Sequence, residues 1–149
     1  MKVALPAIVA VAVAFSAVTV NAATKEEEAI KYRKAVMTTM AWNVGPIGAM
    51  VKGDRPFDKD LAIRNAERLE ALAKMPLEGF APGTEQGDTK VKAEAFLEMD
   101  KFRAGMEKLQ SETAKLAQAA KSGNLDQIKP QFGEVGKVCK GCHDTYRNK

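Results

Sequence analysis

The sequence predicts an all-α fold, an antiparallel up-down-up-down four-helix bundle, on three observations. After Ala22 no stretch alternates apolar and polar residues with period two over a useful length. Four segments instead repeat their apolar residues at intervals of three and four, and each is bounded by residues that start or stop helices. The chain has 149 residues, Lys+Arg 23 against Asp+Glu 19, which suits one domain with a core that does not need disulfides.

The first 22 residues carry one charge, Lys2, followed by an apolar run from Val3 to Val20. Val20-Asn21-Ala22 suits a cut after Ala22, and charge resumes at Lys25-Glu26-Glu27-Glu28, so residues 1–22 are expected to be a cleaved secretory signal and 23–149 the mature domain. The alternative is a permanent anchor, against which Pro6, Ser16 and Thr19 dilute the run. The expected location is the periplasm, with no stable membrane insertion after cleavage. Charges of both signs alternate along the remaining chain, so no nucleic-acid partner is expected.

Thr24-Lys25-Glu26-Glu27 has the spacing of a capping box and opens the first helix. Ile30, Met37, Val44 and Val51 follow at intervals of seven, with Met40/Ala41 and Ile47/Gly48 between them, which predicts the buried seam. Pro46 is expected to kink this helix, since the apolar period continues in phase beyond it. Gly53-Asp54-Arg55-Pro56 makes a break and Asp58 can cap a second helix through Leu61, Ala66, Leu69 and Leu72, stopped by Pro76. A loop with Gly79, Pro82, Gly83 and Gly87 runs to about Lys90, and loops of that length are often functional.

The third helix is predicted from Phe96 through Met99, Phe102, Met106, Leu109 and Leu116 to Ser122-Gly123-Asn124. In the fourth, Leu125, Ile128, Phe132, Val135, Cys139, Cys142 and Tyr146 step alternately by three and four, which puts both cysteines on the buried stripe. Pro130 is expected in the first turn of its main body.

The chemistry is concentrated in Cys139-Lys140-Gly141-Cys142-His143, a C-x-x-C-H string that reads as a c-type haem attachment site. On a helix the two cysteines share a face, placed for thioethers to two vinyl groups, and His143 lies one turn from Cys139. Gly141 removes a side chain where a macrocycle must come close. A thioredoxin-type dithiol would sit at the start of a helix in a βαβ unit. A zinc site would need ligands from outside this string, and there is no other Cys or His. Cysteines that merely fill a core leave His143 at this offset unexplained. Because His143 is the only histidine, a second imidazole ligand and a catalytic distal histidine are both excluded. The sixth iron position is then a methionine, something weaker, or empty.

These residues give the chain a resemblance to cytochrome c′, the class II c-type cytochromes. The resemblance spans the mature chain and rests on Lys31-Tyr32-Arg33, on Val51-Lys52-Gly53 with Pro56-Phe57-Asp58, on Pro82-Gly83-Thr84-Glu85, and on Cys139 to His143 followed by Asp144-Thr145-Tyr146-Arg147. It implies one covalent haem c per chain inside the bundle, His143 as axial ligand, and a five-coordinate, high-spin iron closed on its distal side by apolar groups. It further implies that Met37 faces the iron in the distal pocket, that Arg33 pairs with a haem propionate, and that Arg147 borders the proximal pocket. Thr84, Glu85 and Asp88 are candidates for closing the propionate edge. The other reading of Met37 is a seam residue, of Arg33 an exposed helix arginine, and of the loop residues a solvated turn. Trp42 is expected at packing or an interface rather than at the cofactor.

No enzymatic activity is expected. The first function class is a binder of NO and CO: a haem with one histidine and no polar distal group does not supply the hydrogen bond that bound O2 needs. The second is a low-spin His/Met electron carrier resembling cytochrome c-556, with Met37 as ligand and an unidentified redox partner. The third is a structural haem protein. The resemblance also implies a homodimer through the first two helices, for which Ala41 and Ile63, off or at the edge of their seams, supply spare apolar surface.

Overall fold

The computed structural model describes residues 23–149; the predicted signal segment 1–22 and its cleavage lie outside them. The elements are α1 (Lys25–Lys52), α2 (Lys59–Leu72), a 3-10 helix (Pro76–Gly79), α3 (Glu94–Leu97), α4 (Met99–Lys121) and α5 (Leu125–Tyr146). The four long helices close a ring: α1 packs on α2, α2 on α4, α4 on α5, and α5 back on α1. This is a four-helix bundle, with no strand among the described residues.

The predicted starts follow from capping chemistry. Thr24 accepts the amide of Glu27 while Glu27 takes the amide of Thr24, so both orphan donors are satisfied. Asp58 accepts from Leu61 at 2.9 Å and opens α2. α1 ends at Gly53, whose φ of 84° is the left-handed conformation that ends helices most cheaply with glycine.

Three expectations change. The buried face of α1 consists of Ile30, Arg33, Val36, Met40, Asn43, Ile47 and Met50, whereas Met37, Val44 and Val51 are half-buried at its edge. Two polar residues, Arg33 and Asn43, occupy core positions, and a pattern of apolar residues alone passes over them. The third helix is broken at Glu98 (φ −111°, ψ 41°), which ends α3 and begins α4 and leaves Phe96 free to pack beside Phe80, ring centres 6.0 Å apart. Pro130 is inside α5 rather than in its first turn, because the helix begins at Leu125 under an Asn124 cap that accepts from Asp126. Pro46 lies inside α1, which continues past it to Lys52, in keeping with the apolar period.

The stripe of α5 divides in two. Ile128 and Val135 are buried with the core, while Cys139, Cys142 and Tyr146 in the same phase are half-buried. At the level of Ile128 and Val135, α1 and α5 touch closely: a Cβ on Gly48 would stand 3.1 Å from the Phe132 ring. At the level of the cysteines the two helices are held apart by a cleft.

Candidate functional site

Both cysteines lie on the last three turns of α5, and neither is in a disulfide. Burial pushes both thiols above the ordinary range. His143 follows, half-buried, and its pKa is lowered first by burial and then by the charge of Arg147, with Asp144 opposing weakly. A neutral imidazole with a free lone pair is the form that binds a metal. Arg147 is the extended residue after α5; its amide still makes the helical bond to the His143 carbonyl at 3.1 Å, and it lines the same cleft as His143.

The cleft measures about 370 Å³. Its apolar wall is made by Met37, Phe80, Val91, Phe102, Met106 and Tyr146, with Cys142 and His143 on the α5 side. Phe102 stands 4.5 Å from Phe80 and meets Tyr146 edge-on at 5.2 Å, so the aromatic wall is one packed unit. The charged and polar lining comes from Arg33, Lys34, Thr38, Asp88, Thr89, Lys90 and Arg147. Met37 is therefore brought to the same cleft as His143, from the opposite end of the sequence.

Arg33 is nearly fully buried, which excludes the exposed-arginine alternative. Its two terminal nitrogens donate to the Gly79 carbonyl (2.8 Å), to Thr84 Oγ1 and carbonyl (2.7 and 2.6 Å), and to Thr89 Oγ1 (2.9 Å). The guanidinium also lies over the rings of Phe80 and Phe96. Burial lowers its pKa, and the nearby charge of Glu85 offsets that. Only Nε is without a partner. The approach is tight: a Cβ on Gly79 would fall 2.7 Å from that of Arg33, so glycine is required where this carbonyl meets the guanidinium.

The loop residues separate accordingly. Thr84 is buried under Arg33, and neither Thr84 nor Glu85 lines the cleft, so both act on it through Arg33 rather than from its edge. Asp88 does line it, at the mouth, where it accepts from Lys34 Nζ at 2.5 Å. Thr89, Lys90 and Val91 complete the rim, and no sequence pattern marks them because they form no regular element. Val91 pairs in an isolated antiparallel bridge with Arg147. Lys92 caps the end of α5, its Nζ on the carbonyls of Asp144 and Thr145.

This donor set fits a covalently attached porphyrin. Two thiols three residues apart on one helix, a neutral imidazole next to them and an apolar cleft are its requirements, and no protein atom comes within 4 Å of where a Cβ on Gly141 would stand. The thiols and imidazole would hold the group, and the aromatic wall would shield it from water.

Comparison with known proteins gives the same answer independently. The family model for cytochrome c′ matches residues 28–147. A curated cytochrome c′ from Alcaligenes xylosoxydans xylosoxydans is 39% identical over 125 residues, covering 84% of this chain and 97% of that protein. The solved structure of cytochrome c prime from Shewanella frigidimarina superposes with a TM-score of 0.82 at 41% identity, covering 84% of this chain and 98% of that one. A nitric oxide complex of a mutant cytochrome c prime from Alcaligenes xylosoxidans superposes with a TM-score of 0.79 at 38% identity over 86% of this chain and 99% of its own.

Proposed function

The chain belongs to the cytochrome c′ family and carries covalent haem c, and from that premise we propose that it is an exported binder of NO and CO with a five-coordinate iron held by His143. The observation that carries the reading is the pairing in one cleft of a single imidazole with an apolar wall whose first-helix member is Met37. When bound, the haem iron supplies the coordination position at which a diatomic is held. The chain's own residues do the rest. Cys139 and Cys142 would anchor the group to α5, and His143, kept neutral by burial and by Arg147, would supply a nitrogen to its iron. Phe80, Phe102 and Met106 exclude water. Arg33, whose terminal nitrogens are committed to Gly79, Thr84 and Thr89, would have only Nε left for a propionate, and Lys34 and Lys90 in the cleft lining would be further cationic partners.

The likeness to a protein solved as its nitric oxide complex supports NO as ligand. No helix among the described residues is long and apolar enough to cross a membrane, which suits a protein released to the periplasm after cleavage at Ala22. Trp42, 77% exposed on α1, and the exposed Ala41 beside it suit a homodimer contact through the first two helices. Sedimentation at micromolar concentrations should give twice the chain mass.

One pair of visible and near-infrared spectra tests the central reading. The oxidised protein at neutral pH should be high-spin, and the reduced protein should take up CO. The half-buried Met37 thioether is the observation that favours the second reading, a His/Met electron carrier. A low-spin oxidised spectrum with a sulfur-to-iron band near neutral pH would establish that reading instead.

A further inference from the structure

Met37 and His143 come from opposite ends of the chain, yet the width of the cleft depends on their relative position. The direct α1–α5 contact at Gly48 and Phe132 is near the other end of both helices. At the cleft itself the two walls are joined through the segment from Thr84 to Lys92, which α1 holds by Arg33 on Thr84 and Thr89 and by Lys34 on the carboxylate and carbonyl of Asp88; of these contacts only the Thr89 hydroxyl also bonds the Val91 amide that leads to α5. Thr89 Oγ1 accepts from Arg33 Nη2 at 2.9 Å, one turn before Met37, and from the amide of Val91 at 3.1 Å. A hydroxyl has two lone pairs, and here each is used. Val91 is the residue bridged to Arg147, and the flanking amides complete the clasp: Lys92 donates to the Tyr146 carbonyl at 2.9 Å and Asn148 to the Lys90 carbonyl at 2.8 Å. The Arg147 amide then donates to the His143 carbonyl. A chain of hydrogen bonds thus runs from Arg33 to His143, and Thr89 is its junction.

Two parallel ties behave differently. Thr84 also accepts from Arg33, but it bonds back to Ala81 and does not reach α5. Asp88 pairs with Lys34 in the open, with side chains 95% and 50% exposed, so salt screens that tie. The Thr89 junction is half-buried and uncharged on its own side, and salt leaves it intact.

We propose that Thr89 is a positioning residue for ligand binding: its hydroxyl registers the α1 wall carrying Met37 against the α5 end carrying His143, and so sets both the orientation of the imidazole and the room beside Met37. This rests on His143 being the axial ligand.

The test uses haem-loaded Thr89→Val, which keeps the shape and removes the acceptor, with Thr89→Ala as a second removal and Thr89→Ser as the conservative rescue. Amide hydrogen exchange at Lys92 and Asn148 should speed up by roughly three- to tenfold in the Val and Ala proteins, the range expected for one lost hydrogen bond. Their ferrous iron–imidazole stretching band should move, and the CO association rate should change with it. Thr89→Ser should restore all three, and the differences should persist in 1 M salt. Faster exchange confined to Val91, with the band and CO rate unmoved, overturns the proposal, as does a Ser protein that behaves like Val. A wild-type iron–imidazole band that survives His143→Ala overturns the function reading itself. That outcome is recognisable without any Thr89 variant and takes this proposal with it.

Discussion

The two ends of the bundle are built from one periodicity and filled by different means. Around Leu69, Leu116, Ala117, Ile128 and Val135 the helices bury their stripes against one another, each residue 1% exposed or less. One and two turns further along α5, Cys139 and Cys142 continue the same stripe but are left half-buried, and Cys142 lines a cleft of about 370 Å³. The first end is closed by side chains; the second has the spacing of a core without its contents. An apolar stripe therefore says where a helix turns its face but not what that face meets, and at the open end the answer is a covalent cofactor.

The sharpest break of this contrast is chemical. Replacing both Cys139 and Cys142 by Ser should change haem from wholly retained to wholly extractable by acidified organic solvent. His143→Ala should keep the porphyrin attached while its axial nitrogen is lost. Colour that leaves the unmodified protein with the solvent would count against attachment at these residues.

At the closed end the expectation reverses. Ile128→Ala removes a buried aliphatic group where neither solvent nor cofactor can fill the space, and should cost about 2–4 kcal/mol of stability. The haem spectrum and the CO rate should not change. Denaturant unfolding of the haem-loaded protein measures the first, and a spectral change would mean that the two ends are packed as one unit.

Met37→Ala tests the open end with a smaller effect. A long unbranched side chain that lines the cleft must be displaced by an entering ligand. Removing it should speed CO association by about tenfold for each ~1.4 kcal/mol of displacement cost. Stopped-flow mixing reads the rate, and the oxidised spectrum should stay high-spin. Conversion of a low-spin protein to high-spin by this change would instead identify Met37 as a ligand.

What could be read from the sequence follows the same division. Caps at Thr24 and Asp58 were legible because they use local spacing, and the cysteine–histidine string because its chemistry is local too. On α1 the buried face includes the expected Ile30, Met40, Ile47 and Gly48 but takes Val36, Asn43 and Met50 in place of their neighbours Met37, Val44 and Val51, since Arg33 and Asn43 hold core positions that apolar counting passes over. Arg33 is buried only because Gly79, Thr84 and Thr89 supply oxygens from 46 to 56 residues away, and no local pattern encodes such a meeting. Phe102 and Met106 have the pattern of ordinary core and Phe80 stands in a loop without a period, so none of the three can be recognised as cleft wall without the helix ends in place. Thr89 to Val91 meet Arg147 across a bridge of a single pair, too short for any period to announce.

The smallest effect belongs to the ion pair at the cleft mouth. Lys34 holds the Asp88 carboxyl below its ordinary pKa, first by hydrogen bonding and then by charge. The folded state therefore binds this proton less readily than the unfolded chain, so the pair contributes stability above the usual carboxylate pKa, ~3.9, and loses it as pH falls through the lowered value. Asp88→Asn should lower the melting temperature slightly at pH 7, and the difference should close on acidification and in high salt, because both groups are open to solvent. CO association should hardly change, since Thr89 still joins the two walls. A large change in that rate on loss of Asp88, abolished by salt, would show that charge at the mouth rather than the buried hydroxyl sets the width of the cleft.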